Sequence, residues 1–210
     1  MNIDIIPVTS FQQNCSLIWD EQKNAAVIDP GGEPSKLIRK IEEHGLRLKM
    51  ILLTHGHLDH VGAAPKLKAH FGVEILGPQQ ADAFWLQNLP RQSEQFGLFQ
   101  IDAFTPDRWL NREHEVIHVG DIALEVLHLP GHTPGHIGFI DHADKVAFTG
   151  DVLFRNSIGR TDFPQGNHSD LMQSIKQKMF ALPDDTIVIA GHGPYTTIGQ
   201  EKQSNPYVNS

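Results

Sequence analysis

Apolar residues in this chain gather in short runs, separated by segments in which they recur every three or four positions. Runs at residues 2–8, 15–19, 24–29, 49–54, 73–76, 115–119, 121–129, 137–141, 145–149 and 186–190 predict β-strands. Helical periodicity predicts helices over 34–44, 58–71 and 168–181. In the last of these Leu171, Ile175 and Met179 recur every fourth residue after a capping region, Asn167-His168-Ser169. Gly45 is suited to stop the first helix, and Gly31-Gly32 after Asp29-Pro30 turns the chain out of the third strand. Several strands are apolar throughout, as in Ile187-Val188-Ile189-Ala190, the pattern of sheets covered on both faces. The class is therefore α/β, and the pattern alone permits an ordinary doubly wound sheet. No repeat or low-complexity tract divides the chain, so residues 1–210 read as a single domain.

Residues 78–112 break the alternation. Phe84, Trp85, Phe96, Phe99, Phe104 and Trp109 are scattered there among polar residues, with Pro90 and Pro106. One reading is a helix and loop packing aromatics onto the domain. The other is a wall or lid over a ligand pocket, since such pockets favour aromatic linings.

The chemistry sits at the ends of the apolar runs. Thr54-His55-Gly56-His57-Leu58-Asp59-His60 places four metal-ligating side chains within six residues, directly after Met50-Ile51-Leu52-Leu53. A strand alternates its faces and could not aim all four at one point. A tight loop entering a helix could, with Gly56 freeing the backbone to turn. Imidazole with carboxylate suits zinc, iron or manganese better than calcium or magnesium. Three later segments each add one donor beside a glycine after an apolar run: His132 in Gly131-His132-Thr133-Pro134-Gly135-His136, Asp151 in Thr149-Gly150-Asp151, and His192 in Gly191-His192-Gly193. The seven donors exceed what one tetrahedral ion needs and predict two divalent ions.

The order H-x-H-x-D-H, His, Asp, His resembles the metallo-β-lactamase superfamily across nearly the whole chain. Residues 150–154 (Gly-Asp-Val-Leu-Phe), Gly159-Arg160-Thr161-Asp162-Phe163 and Gly191-His192-Gly193-Pro194 look like its glyoxalase II-like hydrolases, nearest to the short single-domain type II glyoxalases of bacteria. The resemblance implies an αββα sandwich of two mixed sheets flanked by helices, with metals at one edge. It implies that His55, His57 and His132 hold metal 1, that Asp59, His60 and His192 hold metal 2, and that Asp151 bridges them. It further implies a binuclear hydrolase of hydroxyacylglutathione thioesters, working through a metal-bridging hydroxide, with zinc as the expected ion and iron or manganese as alternatives. Asp59 would accept a proton in that scheme, and Arg160 would contact the tripeptide. His136 aligns with a position that orients its loop. Only 18 residues follow His192, so a C-terminal glutathione-binding helical domain is expected to be missing, and Asp162 departs from the aromatic residue common at that place. Both departures predict weaker or broader thioesterase action.

Two other readings stand beside this one. An iron persulfide dioxygenase shares a segment like residues 159–163 and would use one iron on His55, His132 and Asp151. A non-catalytic metal-binding domain would be expected to have lost a donor, and none is missing. Composition narrows the partners. The formal charge of −8 with no block of Lys or Arg argues against nucleic acid. No apolar run approaches a membrane span, and Met1-Asn2-Ile3-Asp4 is unlike a secretory signal. The single Cys15 permits no internal disulfide and suits a reducing cytoplasm. It is expected to be a small buried core residue, not a nucleophile. A small-molecule thioester as partner, with the chain a monomer or weak homo-oligomer, completes the expectation.

Overall fold

Alternation along the strands decides the architecture. In the computed structural model, which describes residues 1–98 and 100–208, the first sheet contains β1 (Asn2–Val8), β2 (Gln13–Trp19), β3 (Asn24–Ile28), β4 (Arg47–Leu52) and β5 (Glu74–Leu76), in that order. The pairs β1–β2 and β2–β3 are antiparallel, while β3–β4 and β4–β5 are parallel. The second half of the chain adds β6 (Val116–Val119), β7 (Ile122–His128), β8 (Ile137–Asp141) and β9 (Val146–Gly150). A small ribbon of β10 (Leu153–Phe154) and β11 (Ser157–Ile158) follows, then β12 (Ile187–Ala190) and β13 (Thr196–Thr197). The second sheet runs β13-β12-β9-β8-β7-β6 and is also mixed. The helices are α1 (Pro34–Glu43), α2 (Leu58–Val61), α3 (Ala64–Phe71), α4 (Ala83–Gln87), α5 (Leu89–Phe96), α6 (His168–Gln173) and α7 (Ile198–Ser204).

Adjacent residues serve different layers. Ile18, Ala26, Ile28 and Leu52 from the first sheet meet Val126, Phe139 and Phe148 from the second, between the sheets. Their sequence neighbours Leu17, Ala25, Val27 and Ile51 face outward against Leu37, Ile41 and Leu67 of α1 and α3. Leu127, Ile140 and Ala147 likewise face outward against Leu171, Ile175, Met179 and Ile198. Both faces of each sheet are thus covered. That is why these strands are apolar throughout, and why the result is the αββα sandwich and not one doubly wound sheet. Each fully buried large side chain contributes roughly 1.5–3 kcal/mol over its exposed state.

Most predicted strands lie within a residue or two of their expected bounds. The single helix expected over 58–71 is two. The Ala63 N–H donates to Pro30 O (2.8 Å), and Pro65, lacking an N–H, could not have continued α2. The helix expected over 168–181 is regular only to Gln173. It widens into a π turn (Ser174–Lys178) and closes with a 3₁₀ turn (Met179–Ala181), yet Leu171, Ile175 and Met179 stay fully buried. The Asn167 side chain caps α6 by accepting from Asp170 N. Phe99 lies outside the described residues. Among those described, no helix is long and apolar enough to cross a membrane.

Candidate metal centre

Topology brings the seven donors together. The strands β7, β9 and β12 point the same way, because β8 is antiparallel to both β7 and β9 and β12 is parallel to β9. Their C-terminal ends release His132, Asp151 and His192 at one edge of the second sheet. The first sheet releases His55 to His60 after β4. A bridge between Gln13 and His192 joins the sheets at this edge. Asn14 secures it, with its backbone N–H donating to Gly191 O (2.7 Å) and its amide donating to Ala190 O (3.0 Å) and Gly193 O (2.8 Å).

Two donor sets result. In the first, His57 Nδ1 lies 3.1 Å from His55 Nε2 and 3.0 Å from His132 Nε2. Three nitrogens around one tetrahedral ion would be spaced at about 3.3 Å for bonds of about 2.0–2.1 Å, so the spacing fits an ion at their centre. In the second, Asp59 Oδ2 lies 3.2 Å from His192 Nε2 and 3.9 Å from His60 Nε2. Asp151 faces both, with Oδ1 3.4 Å from His60 Nε2 and Oδ2 3.6 Å from His132 Nε2 and 3.8 Å from His192 Nε2. His60 Nε2 and Asp151 Oδ1 are buried and have no hydrogen-bond partner. Orphaned buried polar atoms are uncommon, and a cation between them would satisfy both. The residues present therefore fit divalent metal.

Electrostatics separates the two sets. Burial, reinforced by the neighbouring imidazoles, pushes the pKa of His55 and His57 well down, and burial also lowers that of His132. These rings are neutral Lewis bases. Burial opposes charge on His60 as well, but the Asp151 and Asp59 carboxylates outweigh it and raise its pKa well above the ordinary value. Burial works equally against charge on Asp151, yet His60 and the other imidazoles hold its pKa far below the usual carboxylate range.

Sequence reasoning missed two aspartates that aim the donors. Asp29 sits at the end of β3 with φ 51°, a conformation costly for a residue other than glycine and often found at functional sites. It accepts from Thr54 N (2.7 Å) and Thr54 Oγ1 (2.6 Å), and its Oδ2 lies 2.9 Å from His60 Nδ1. A proton on His60 Nδ1 leaves Nε2 as the donor atom. Thr54 Oγ1 in turn lies 3.0 Å from His55 Nδ1. Asp29 also falls in a group with His55 and His60 that could hold an ion, but both its oxygens are already engaged. The second is Asp82, in the 3₁₀ turn Gln80–Asp82. It accepts from Gly56 N (2.9 Å), Thr133 Oγ1 (2.8 Å) and Gly135 N (2.6 Å), joining two donor loops. Burial pushes its carboxyl up to about 6. Asp29 follows an apolar run as Asp151 does, but the Pro-Gly-Gly after it reads as a plain turn and masks that signal. Nothing in the aromatic stretch singled out Asp82.

The remaining residues find plain roles. Gly56 makes room, because a Cβ there would lie 2.6 Å from Trp85 Cβ. At Gly191 a Cβ would meet Asp151 Oδ1 at 2.2 Å. His136 stays outside both donor sets, its Nε2 accepting from Asp151 N (3.1 Å). The Arg160 carbonyl accepts from His132 Nδ1 (2.7 Å). Its guanidinium donates twice to Asp162 (2.7 Å each) and lies 4.3 Å over the Phe163 ring. Cys15 is fully buried, which pushes its thiol pKa well up. Tyr195 is 71% exposed.

A cleft of about 710 Å³ opens over the donors, with His57, Asp59, Asp151 and His192 on its floor. Trp85, Asn88, Arg91 and Phe96 line it from the α4–α5 region, and Arg160 and Phe163 from the segment after β11. Residues 78–112 thus both line the cleft and pack inward, since Phe104 and Trp109 lie against the helix-covered core of the first sheet.

Comparison with known proteins agrees with this geometry. A family model described as the metallo-beta-lactamase superfamily matches residues 8–192. Hydroxyacylglutathione hydrolase GloC of Haemophilus influenzae is 65% identical over the whole chain and 99% of its own length. The crystal structure of BLEG-1, a B3 metallo-beta-lactamase, superposes with a TM-score of 0.92 at 37% identity, covering 100% of both chains. A protein crystallised in a di-iron-bound form superposes at 0.88 with 35% identity, covering 97% of this chain and 99% of that one.

Proposed function

The chain belongs to the metallo-beta-lactamase superfamily, and from that premise we propose that it hydrolyses hydroxyacylglutathione thioesters of the S-lactoylglutathione type to hydroxy acid and glutathione. It is a metal-dependent hydrolase. The observation that carries the substrate reading is the 65% identity, end to end, to a hydroxyacylglutathione hydrolase. The 37% identity to a lactamase carries less weight. Neither the persulfide dioxygenase nor the non-catalytic reading has comparable support.

We assign His55, His57 and His132 to one ion and Asp59, His60 and His192 to the other, with Asp151 shared. The ions are read as zinc, with manganese an alternative and iron kept open by the di-iron relative. When bound, such a pair polarises a thioester carbonyl and supplies an ionised water near neutral pH. The chain's own residues do the rest. Asp29 and the Arg160 carbonyl fix which ring nitrogen His60 and His132 present. Asp59, whose Oδ2 lies 3.2 Å from His192 Nε2, is read as the proton acceptor. Trp85 and Phe163 place apolar rings against His57, with centroids 4.4 and 4.9 Å from its own. Arg160 Nη1, not engaged by Asp162, remains to donate to substrate. We read the chain as one domain, with 78–112 as a cleft wall, acting in the cytoplasm as a monomer or weak homo-oligomer.

The test is metal content of freshly purified protein alongside thiol release from S-lactoylglutathione. Two ions per chain with turnover supports the reading. One iron per chain with oxygen uptake on glutathione persulfide overturns it.

A further inference from the structure

Helix α5 presents an unmatched cation to the cleft. Asn88, Arg91 and Gln95 all line it, at the spacing that puts side chains on one helical face. The helix is fixed to the donor loop by Gln92, whose Oε1 accepts from Leu58 N (2.9 Å) and whose Nε2 donates to Trp85 O (2.9 Å). Away from the donor set, the only charged residues lining the cleft among the described residues are Arg91 and Arg160. Arg160 is neutralised by the bidentate pair with Asp162. Arg91 is exposed, and its side chain makes no hydrogen bond or ion pair with any described residue. The rest of the lining is largely aromatic and aliphatic: Phe11, Leu58, Trp85, Phe96, Phe154 and Ile158.

A glutathione thioester is asymmetric in charge. Its acyl end is neutral, while its thiol end carries two carboxylates and one ammonium. With the thioester carbonyl at the donor floor, the tripeptide must extend over the rest of the cleft lining. Apolar lining gives a carboxylate no partner, and Arg160 shares its charge with Asp162, leaving Nη1 alone as a donor. We infer that α5 carries the anion subsite for the thiol half of the substrate, with Arg91 receiving a tripeptide carboxylate and Asn88 and Gln95 beside it as neutral donors. This rests on the thioesterase reading above. In this chain α5 would serve recognition from the N-terminal half of the sequence.

The test compares kcat/KM for S-lactoylglutathione with that for a neutral thioester, S-lactoyl-N-acetylcysteamine. Arg91→Ala should lower the ratio of the two by about tenfold or more, the loss of a charge-assisted contact. The change should fall in KM for the glutathione thioester. Arg91→Glu should lower the ratio further and Arg91→Lys should restore part of it. Glutathione binding by calorimetry should weaken in parallel. A ratio unchanged in Arg91→Ala and Arg91→Glu overturns the inference, as does a loss shared equally by both thioesters. If the wild-type protein turns over neither thioester, the hydrolase reading falls. Calorimetry then decides the subsite alone, and equal glutathione affinity in wild type and Arg91→Ala rejects it.

Discussion

Three buried aspartates show how one side chain takes different work from its surroundings. Asp151 faces imidazoles of both sets and is the donor we assign to both ions. Asp29 faces one threonine and one histidine and sets a ring orientation. Asp82 faces two backbone N–H groups and a hydroxyl and ties loops together. Replacing Asp151 with Ala should remove at least one ion per chain and nearly all turnover, with the far-UV circular dichroism unchanged. Retention of both ions and most activity would sink the assignment. Cys15 offers a pH test. Its thiol pKa is raised by burial, so the folded protein keeps a proton that the unfolded chain begins to release near pH 9. This contribution to stability is present below that pH and fades above it. Native protein at pH 8 should leave Cys15 unreactive to a thiol reagent, with one equivalent reacting after urea unfolding. Rapid reaction of the native protein would contradict the buried placement. At this scale the convergence of seven side chains was legible, because four fall in one local motif and three repeat the same strand-end signal. Asp29 was hidden inside a turn signal, Asp-Pro-Gly-Gly. Asp82 was invisible because its partners are backbone groups 26 to 53 residues away.

Among the elements, the long apolar strands were readable and the short amphiphilic pieces were not. The helices α4 and α5 are too short to show periodicity, with five and eight residues, and α7 has seven residues after a Thr197 cap. The break between α2 and α3 depends on a tertiary bond from Ala63 to Pro30, which no local pattern reports. The turn carrying Asp82 has a role out of proportion to its three residues, since it joins the loop after β4 to the loop after β7. Asp82→Asn would set an amide N–H₂ against at least one of the three donors now satisfied. The expected loss is about 1–3 kcal/mol in urea unfolding, together with faster loss of metal to a chelator, because both donor loops gain freedom. A variant as stable and as metal-retentive as the wild type would show that the loops hold themselves.

Seen as a whole, the molecule is two sheets whose shared edge is made of their own loops. Each donor set draws on both sheets, His55 and His57 with His132, and Asp59 and His60 with His192. An ion in either place therefore ties the first half of the fold to the second. At free metal a hundredfold above its dissociation constant, each ion should add about 2.7 kcal/mol, and chelation should lower the melting temperature by roughly 5–10 °C per ion for a chain of this size. Calorimetry with and without chelator would show this. An identical melting temperature would mean that the ions do not join the sheets. The sandwich was not legible from the apolar pattern alone, which equally permits one doubly wound sheet. What separates them is which neighbour of each pair, such as Leu17 and Ile18, meets helices and which meets the other sheet.

Asp29 touches one histidine of each set, His60 directly and His55 through Thr54. An ion on His60 would make its Nδ1 proton more acidic and draw more strongly on the shared carboxylate, leaving less for the Thr54 hydroxyl and, through it, for His55. Loading should then be anticooperative: the first ion would weaken the affinity for the second, and reciprocity requires the converse by the same factor. A titration of the metal-free protein should resolve two steps with a stable half-loaded species between them. In Asp29→Asn the two steps should draw together.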